Sequence, residues 1–188
     1  AFEFVFHFNS KDSEVRRPNK NVPCIYAGRD THLRGDGTSA GGIFVGRAVT
    51  EAPELFAAAI FNVGMMDTIR SEESANGITN ISEFGSYKNA AEFPALLDMS
   101  TYHQIKDGTA YPAVMFIHGL NDPRVDVWHS AKAAARFQAA TTSGKPILMR
   151  LDGQAGHGMG STARQGASKL ADVYSFLLWQ FGKTASKP

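Results

Sequence analysis

Apolar residues fall in short, separate runs along this chain, and their period sets the expected elements. "AFEFVFHF" places Phe2, Phe4, Phe6 and Phe8 at every second position, the alternation of a strand with one buried face. The polar, proline-interrupted "NSKDSEVRRPNKN" after it reads as a loop, and "VPCIYAG" as a short strand weakened by Pro23. "THLRGDG" is polar for a strand inside a sheet, yet it runs into the glycine-rich "GDGTSAGGIF" of residues 35–44. From Gly41 to Glu51 the chain is apolar nearly all round, as a buried helix would be, and Pro53 ends it.

Three later runs, "LFAAAIFNVG" (55–64), "YPAVMFIHG" (111–119) and "KPILMRLDG" (145–153), are continuously apolar and predict buried strands. Residues 65–85 read as a long connection, and "SYKNAAEFPALLDMS" as partly helical and broken at Pro94. "WHSAKAAARFQAA" (128–140) predicts an alanine-rich helix. A last helix is expected from near Ser161, with Leu170, Val173, Leu177 and Phe181 on one face and Gly182 as its stop. Strands and helices alternating from residue 31 onward predict parallel βαβ units. The expected fold is α/β, a mostly parallel sheet flanked by helices, in one domain over residues 1–188.

Composition narrows the function classes. A chain that is 43% hydrophobic and 20% charged has enough apolar residues for a core and reads as an ordinary soluble protein. A net charge of +1 gives no electrostatic reason to expect nucleic acid or a membrane surface as partner. No apolar run approaches the roughly 20 residues of a membrane helix, and no signal-peptide pattern is seen. The single cysteine, Cys24, leaves no intrachain disulfide and no cysteine-rich metal site, and favours a reducing, cytoplasmic setting. The chain opens at Ala1 without an initiator methionine, as a piece of a longer protein would.

Chemistry enters at the glycine-rich turn. Gly37-Thr38-Ser39-Ala40-Gly41 fits G-x-S-x-G, a strand-to-helix turn that exposes a serine hydroxyl. Its flanking glycines, Gly37 and Gly41, are expected because a Cβ there would strike the neighbouring strand and helix. The Ala40 N–H, next after the serine, is the expected oxyanion donor. A serine hydroxyl needs a base, and the base an orienting carboxylate. Asp122 in "HGLNDPRV" lies just beyond one predicted strand, and His157 in "DGQAGHGMG" beyond another. Catalytic groups of parallel sheets gather at those carboxyl ends. His118, near Asp122, is the rival base. His7, His32 and His103 read as structural or exposed, and Asp67 and Asp126 as turn or cap groups. "RGD" at 34–36 is expected to be poorly accessible because it leads straight into the turn. No histidine or carboxylate spacing suggests a metal or other cofactor.

At these residues the sequence resembles the prolyl oligopeptidase family of serine peptidases, in the C-terminal part of its α/β-hydrolase catalytic domain. The matching stretches are "GTSAGGIFVGRAVTEAPELFAAAIFNVGMMD", "ISEFGS", "YPAVMFIHGLNDPRVDVWHSAKAAARFQAA", "GHGMG" and "ADVYSFLLWQFG", spanning roughly residues 37–182 in the family's order. The resemblance implies Ser39 as nucleophile, Asp122 as orienting acid and His157 as base. It also implies that Arg124, in "DPRV", grips a peptide carbonyl of the substrate. Residues 1–30 do not look like the family. The upstream region that supplies the family's second oxyanion donor, a tyrosine hydroxyl, and the family's β-propeller have no counterpart here, so the fold is expected to be truncated on its N-terminal side. Asn80 stands where proline-specific members place a tryptophan against the substrate proline.

Together these features predict a serine hydrolase that cleaves short-chain carboxylic esters through an acyl-enzyme. Two alternatives stay open: a prolyl oligopeptidase-like peptidase acting on short peptides, and an inactive remnant that only binds ligands or partners. The four phenylalanines of "AFEFVFHF" and an uncovered sheet edge further predict a homo-oligomer, most simply a dimer.

Overall fold

A computed structural model describes residues 33–158 and 162–183. The expected strands in "AFEFVFHF" and "VPCIYAG", together with Ser161, His7 and His32, lie outside the described residues. Four strands form one sheet in the order β1 (Leu33–Thr38), β2 (Phe56–Asn62), β3 (Ala113–Gly119), β4 (Ile147–Asp152), every neighbouring pair parallel. The crossovers carry the helices α1 (Gly41–Glu51), α2 (Ile81–Phe84), α3 (Phe93–Met99), α4 (Thr101–Gln104) and α5 (Trp128–Ala140), and α6 (Ala163–Gln180) follows β4. This is the α/β fold expected from the alternation of the two periods.

The strands differ in burial as their positions in a two-sided sheet require. β2 and β3 lie in the middle, and their residues from Phe56 to Phe61 and Ala113 to Gly119 are buried throughout. On one face Phe61, Val114 and Phe116 pack with Val45 and Val49 of α1 and Phe137 of α5. Phe61 and Phe116 stack with centroids 5.2 Å apart. On the other face Ala58, Ile60, Met115 and Ile117 pack against Val173, Phe176 and Leu177 of α6.

The polar "LRGDGT" is a strand after all, at an edge of the sheet among the described residues. Its alternation explains the composition. Gly35 and Gly37 face α1, where a Cβ would stand 2.6 Å from a Val45 methyl and 2.8 Å from the Gly41 carbonyl oxygen. Arg34, Asp36 and Thr38 point the other way and are exposed. Arg34 and Asp36 pair at 3.7 Å with nearly half of each side chain accessible, so the "RGD" stretch is not hidden as the sequence suggested.

Three further expectations are corrected or refined. Pro94 does not break a helix; it sits in the first turn of α3, where its missing N–H has no intrahelical partner to lose. The connection 65–85 holds two 3-10 turns, Arg70–Glu73 and Gly77–Asn80, besides α2. Glu72 anchors it, accepting from the Ser86 hydroxyl and the Tyr87 amide and pairing with Lys88. In α6 the buried face is Val173, Phe176 and Leu177, whereas Leu170 is 51% exposed. Among the described residues no helix is long and apolar enough to cross a membrane.

Candidate active site

Ser39 occupies the turn between β1 and α1 with φ +55°, a left-handed conformation that few residues other than glycine adopt. The backbone around it is tied on both sides. Its N–H donates to the Asn62 carbonyl at 3.0 Å, and its carbonyl accepts from Gly42 and Met65, each at 2.9 Å. The neighbouring chain is strained too: Val63, a β-branched residue, has φ +47° and donates to the Ile117 carbonyl at 2.8 Å. The end of β2 and the residues after it therefore clamp the serine turn, a role for Asn62 and Met65 that the sequence pattern did not reveal.

The glycine expectation is half right. Gly37 is required, but among the described residues nothing lies within 4 Å of a Cβ at Gly41. The crowded position is Gly42, whose Cβ would come 2.9 Å from the Gly64 Cα and 3.0 Å from the Met65 nitrogen. The helix turns that face, not Gly41, onto the β2 loop.

Asp122 follows β3 and His157 follows β4, and the two loops are bound together. The Leu120 and Asn121 amides donate to the carbonyls of Asp152 and Ala155, and the Asn121 side chain donates to Gly153. A Cβ at Gly119 would meet the Ala155 carbonyl oxygen, so the end of β3 lies directly against the histidine loop. Within this frame Asp122 Oδ1 accepts the amides of Arg124 (2.9 Å) and Val125 (3.0 Å), and Oδ2 accepts from His157 Nδ1 at 2.7 Å. His157 Nε2 lies 2.8 Å from the Ser39 hydroxyl oxygen. Because Nδ1 faces a carboxylate it carries the proton, which leaves Nε2 to accept from the serine. The Asp122 side chain is fully buried and that of His157 is 14% exposed. A buried carboxylate, an imidazole and a hydroxyl thus form one hydrogen-bonded chain, an arrangement that is chemically able to take a proton off Ser39.

The other predicted positions fall outside this chain. Ala40 precedes α1; Gly42 and Ile43 donate to the Ser39 and Ala40 carbonyls, while no acceptor among the described residues takes the Ala40 amide. That amide is a free donor beside the serine, at the positive end of a helix. The exposed side chain of Arg124 does not enter the triad; its backbone caps Asp122. Asn80, half-buried, ends a 3-10 turn and makes none of the site's hydrogen bonds.

His118 is not a second base. It is fully buried, Nδ1 bonded to the Ser130 hydroxyl at 2.7 Å and Nε2 to the Val125 carbonyl at 2.8 Å. Asp67, expected as a cap, does accept the Arg70 amide, but it also pairs with Lys132 at 2.6 Å. Burial opposes its charge; the Lys132 ammonium and Arg70 amide outweigh that and hold the carboxyl below its ordinary range.

The sequence pattern of the prolyl oligopeptidase family matches residues 30–184. Prolyl endopeptidase of Elizabethkingia miricola is 34% identical over 183 residues, 91% of this chain and 26% of that protein. The Elizabethkingia meningoseptica prolyl endopeptidase is 35% identical over 147 residues, 78% of this chain and 21% of that one. A solved structure from a mechanistic study of two prolyl endopeptidases superposes with TM-score 0.79 at 31% identity, over 82% of this chain and 23% of the other. Prolyl oligopeptidase B of Galerina marginata, a serine-to-alanine mutant bound to a 35mer hydrolysis and macrocyclization substrate, superposes with TM-score 0.74 at 28% identity, over 79% of this chain and 21% of that one. The chain spans about a fifth to a quarter of the length of the relatives it matches.

Proposed function

Because the chain belongs to the prolyl oligopeptidase family, we propose that it carries the acyl-transfer centre of a serine peptidase acting on peptides. The observation that carries this reading is the unbroken hydrogen-bonded chain from the Ser39 hydroxyl through His157 to Asp122. In the proposed reaction Ser39 Oγ attacks the scissile carbonyl carbon while His157 Nε2 takes its proton. The Ala40 amide stabilises the oxyanion, and Asp122 stabilises the imidazolium. The imidazolium then returns its proton to the leaving amine, and water repeats the sequence on the acyl-enzyme.

Peptides take precedence over the short-chain esters that the sequence first suggested. The relatives described above are prolyl endopeptidases and a prolyl oligopeptidase by name. Asn80 argues against a strict demand for proline, since an amide side chain offers no aromatic face to stack on the ring.

A fluorophosphonate probe tests the centre without presupposing a substrate. It should label the wild type at Ser39 and leave Ser39→Ala unlabelled, and Asp122→Asn should label about 10⁴-fold more slowly through the wrong imidazole tautomer. A wild type that stays unlabelled would leave only the binding-protein reading. With labelling secured, kcat/KM for peptides cleaved after proline, peptides cleaved after alanine and aryl esters sets the substrate order. Esters alone being turned over would return the reading to an esterase.

A further inference from the structure

Resting on that reading of the centre, we propose that His118 is a positioning residue for it: a buried, neutral second imidazole that braces the Asp122 turn from behind and keeps Oδ2 aimed at His157. The carboxylate sits between two histidines. His157 Nδ1 donates to Oδ2 at 2.7 Å from the solvent side, and His118 Nε2 stands 3.5 Å from the same oxygen from within the core.

The two imidazoles are held in different ways. The Val125 carbonyl, an acceptor only, requires a proton on His118 Nε2; in the neutral ring that burial favours, Nδ1 accepts the Ser130 hydroxyl proton. His118 is thereby fixed as one neutral tautomer bridging β3, the loop and α5. Its bond to Val125 closes the same short turn in which Asp122 Oδ1 accepts the Arg124 and Val125 amides. One carboxylate oxygen is spent on the turn, so the direction of the other follows from how firmly that turn is closed. A positioning group must not take the charge that the carboxylate reserves for its partner. Burial, the largest influence, holds His118 below the ordinary histidine range, against the upward pull of the Val125 carbonyl and the Asp122 carboxylate. Asp126 adds a further upward pull, and His157 a downward one. His129, its neighbour on α5, is also held neutral by burial. Asp122 therefore remains available to the imidazolium that forms at His157.

The test measures fluorophosphonate labelling rate in the full chain, for wild type, His118→Leu, His118→Gln and Ser130→Ala, with thermal melting to confirm folding. Leucine removes both bonds. It should slow labelling by up to about 100-fold, the effect of a misplaced catalytic group. Glutamine, whose Nε2 reaches the Val125 carbonyl, should recover most of the rate. Ser130→Ala should fall between the two and decides the matter if the leucine variant does not fold. Folded variants with wild-type rates, or a glutamine variant as slow as leucine, would overturn the proposal. An unlabelled wild type would instead overturn the peptidase reading on which it rests.

Discussion

Ser39 is held at φ +55° by three backbone hydrogen bonds, so its geometry depends on how closely the β2 loop can approach α1. Gly42 is the residue that allows the approach, and Gly41, inside the serine motif, is not. This separates the two glycines experimentally. Gly42→Ala should push the Gly64–Met65 backbone away, lower stability by about 1–3 kcal/mol as overpacking does, and slow fluorophosphonate labelling at least about tenfold. Gly41→Ala should leave the melting temperature unchanged or slightly raised, since alanine favours helix. Equal losses for both would mean that the turn is not held by the β2 loop. Ser39, Asp122 and His157 were legible because a short motif and a fixed order of residue types announce them. Gly42, Asn62 and Met65 were not, because what they supply is backbone position, which has no residue-type signature. His118 was misread as a rival base because sequence proximity to Asp122 does not reveal that both ring nitrogens are already bonded in the core.

At the scale of elements, the buried strands and the long helices α1, α5 and α6 followed directly from apolar period, and α5 matches its expected limits. The errors arose where one residue has two structural uses. Proline both ends helices and begins them, and polar residues in β1 are compatible with a strand because, among the described residues, it lies at a sheet edge. α5 also carries a pH-dependent attachment to the loop after β2. His129, buried beside Trp128 with rings 3.8 Å apart, accepts the Met66 and Asp67 amides on Nδ1 at 3.4 and 3.2 Å. Only a neutral ring with that lone pair free can do so, and burial pushes its pKa down from 6.5 to about 4. The unfolded chain binds the proton first, so the contribution is complete above pH 6.5 and is lost as pH falls towards 4. A shift of this size corresponds to about 3 kcal/mol. Urea unfolding at pH 7.5 and pH 4.5 should show that loss in wild type and a much smaller one in His129→Gln. An identical pH dependence in both proteins would place the effect elsewhere.

At the scale of the molecule, the centre has no local part that can form by itself. Ser39 and His157 are 118 residues apart in sequence, and His157 and Asp122 are 35 apart. They meet because the four parallel strands end on the same side of the sheet, β2 lying between β1 and β3, and the loops beyond β3 and β4 are bonded to each other. The sequence made that meeting legible through strand order alone; it did not supply the distances, which depend on the Leu120, Asn121 and Gly119 contacts between loops. A site assembled from the ends of several strands should disappear no later than the sheet does. The labelling rate at Ser39, followed through a urea titration, should therefore fall with or before the loss of tertiary signal, and never after it. Loosening the loop contacts first, as in Asn121→Ala, should move the labelling midpoint to lower urea while the far-ultraviolet signal of the sheet and helices changes much less. Labelling that outlasts the tertiary signal would mean that the serine is activated by its local turn, with α1 and the β2 loop sufficing and the His157 contact dispensable.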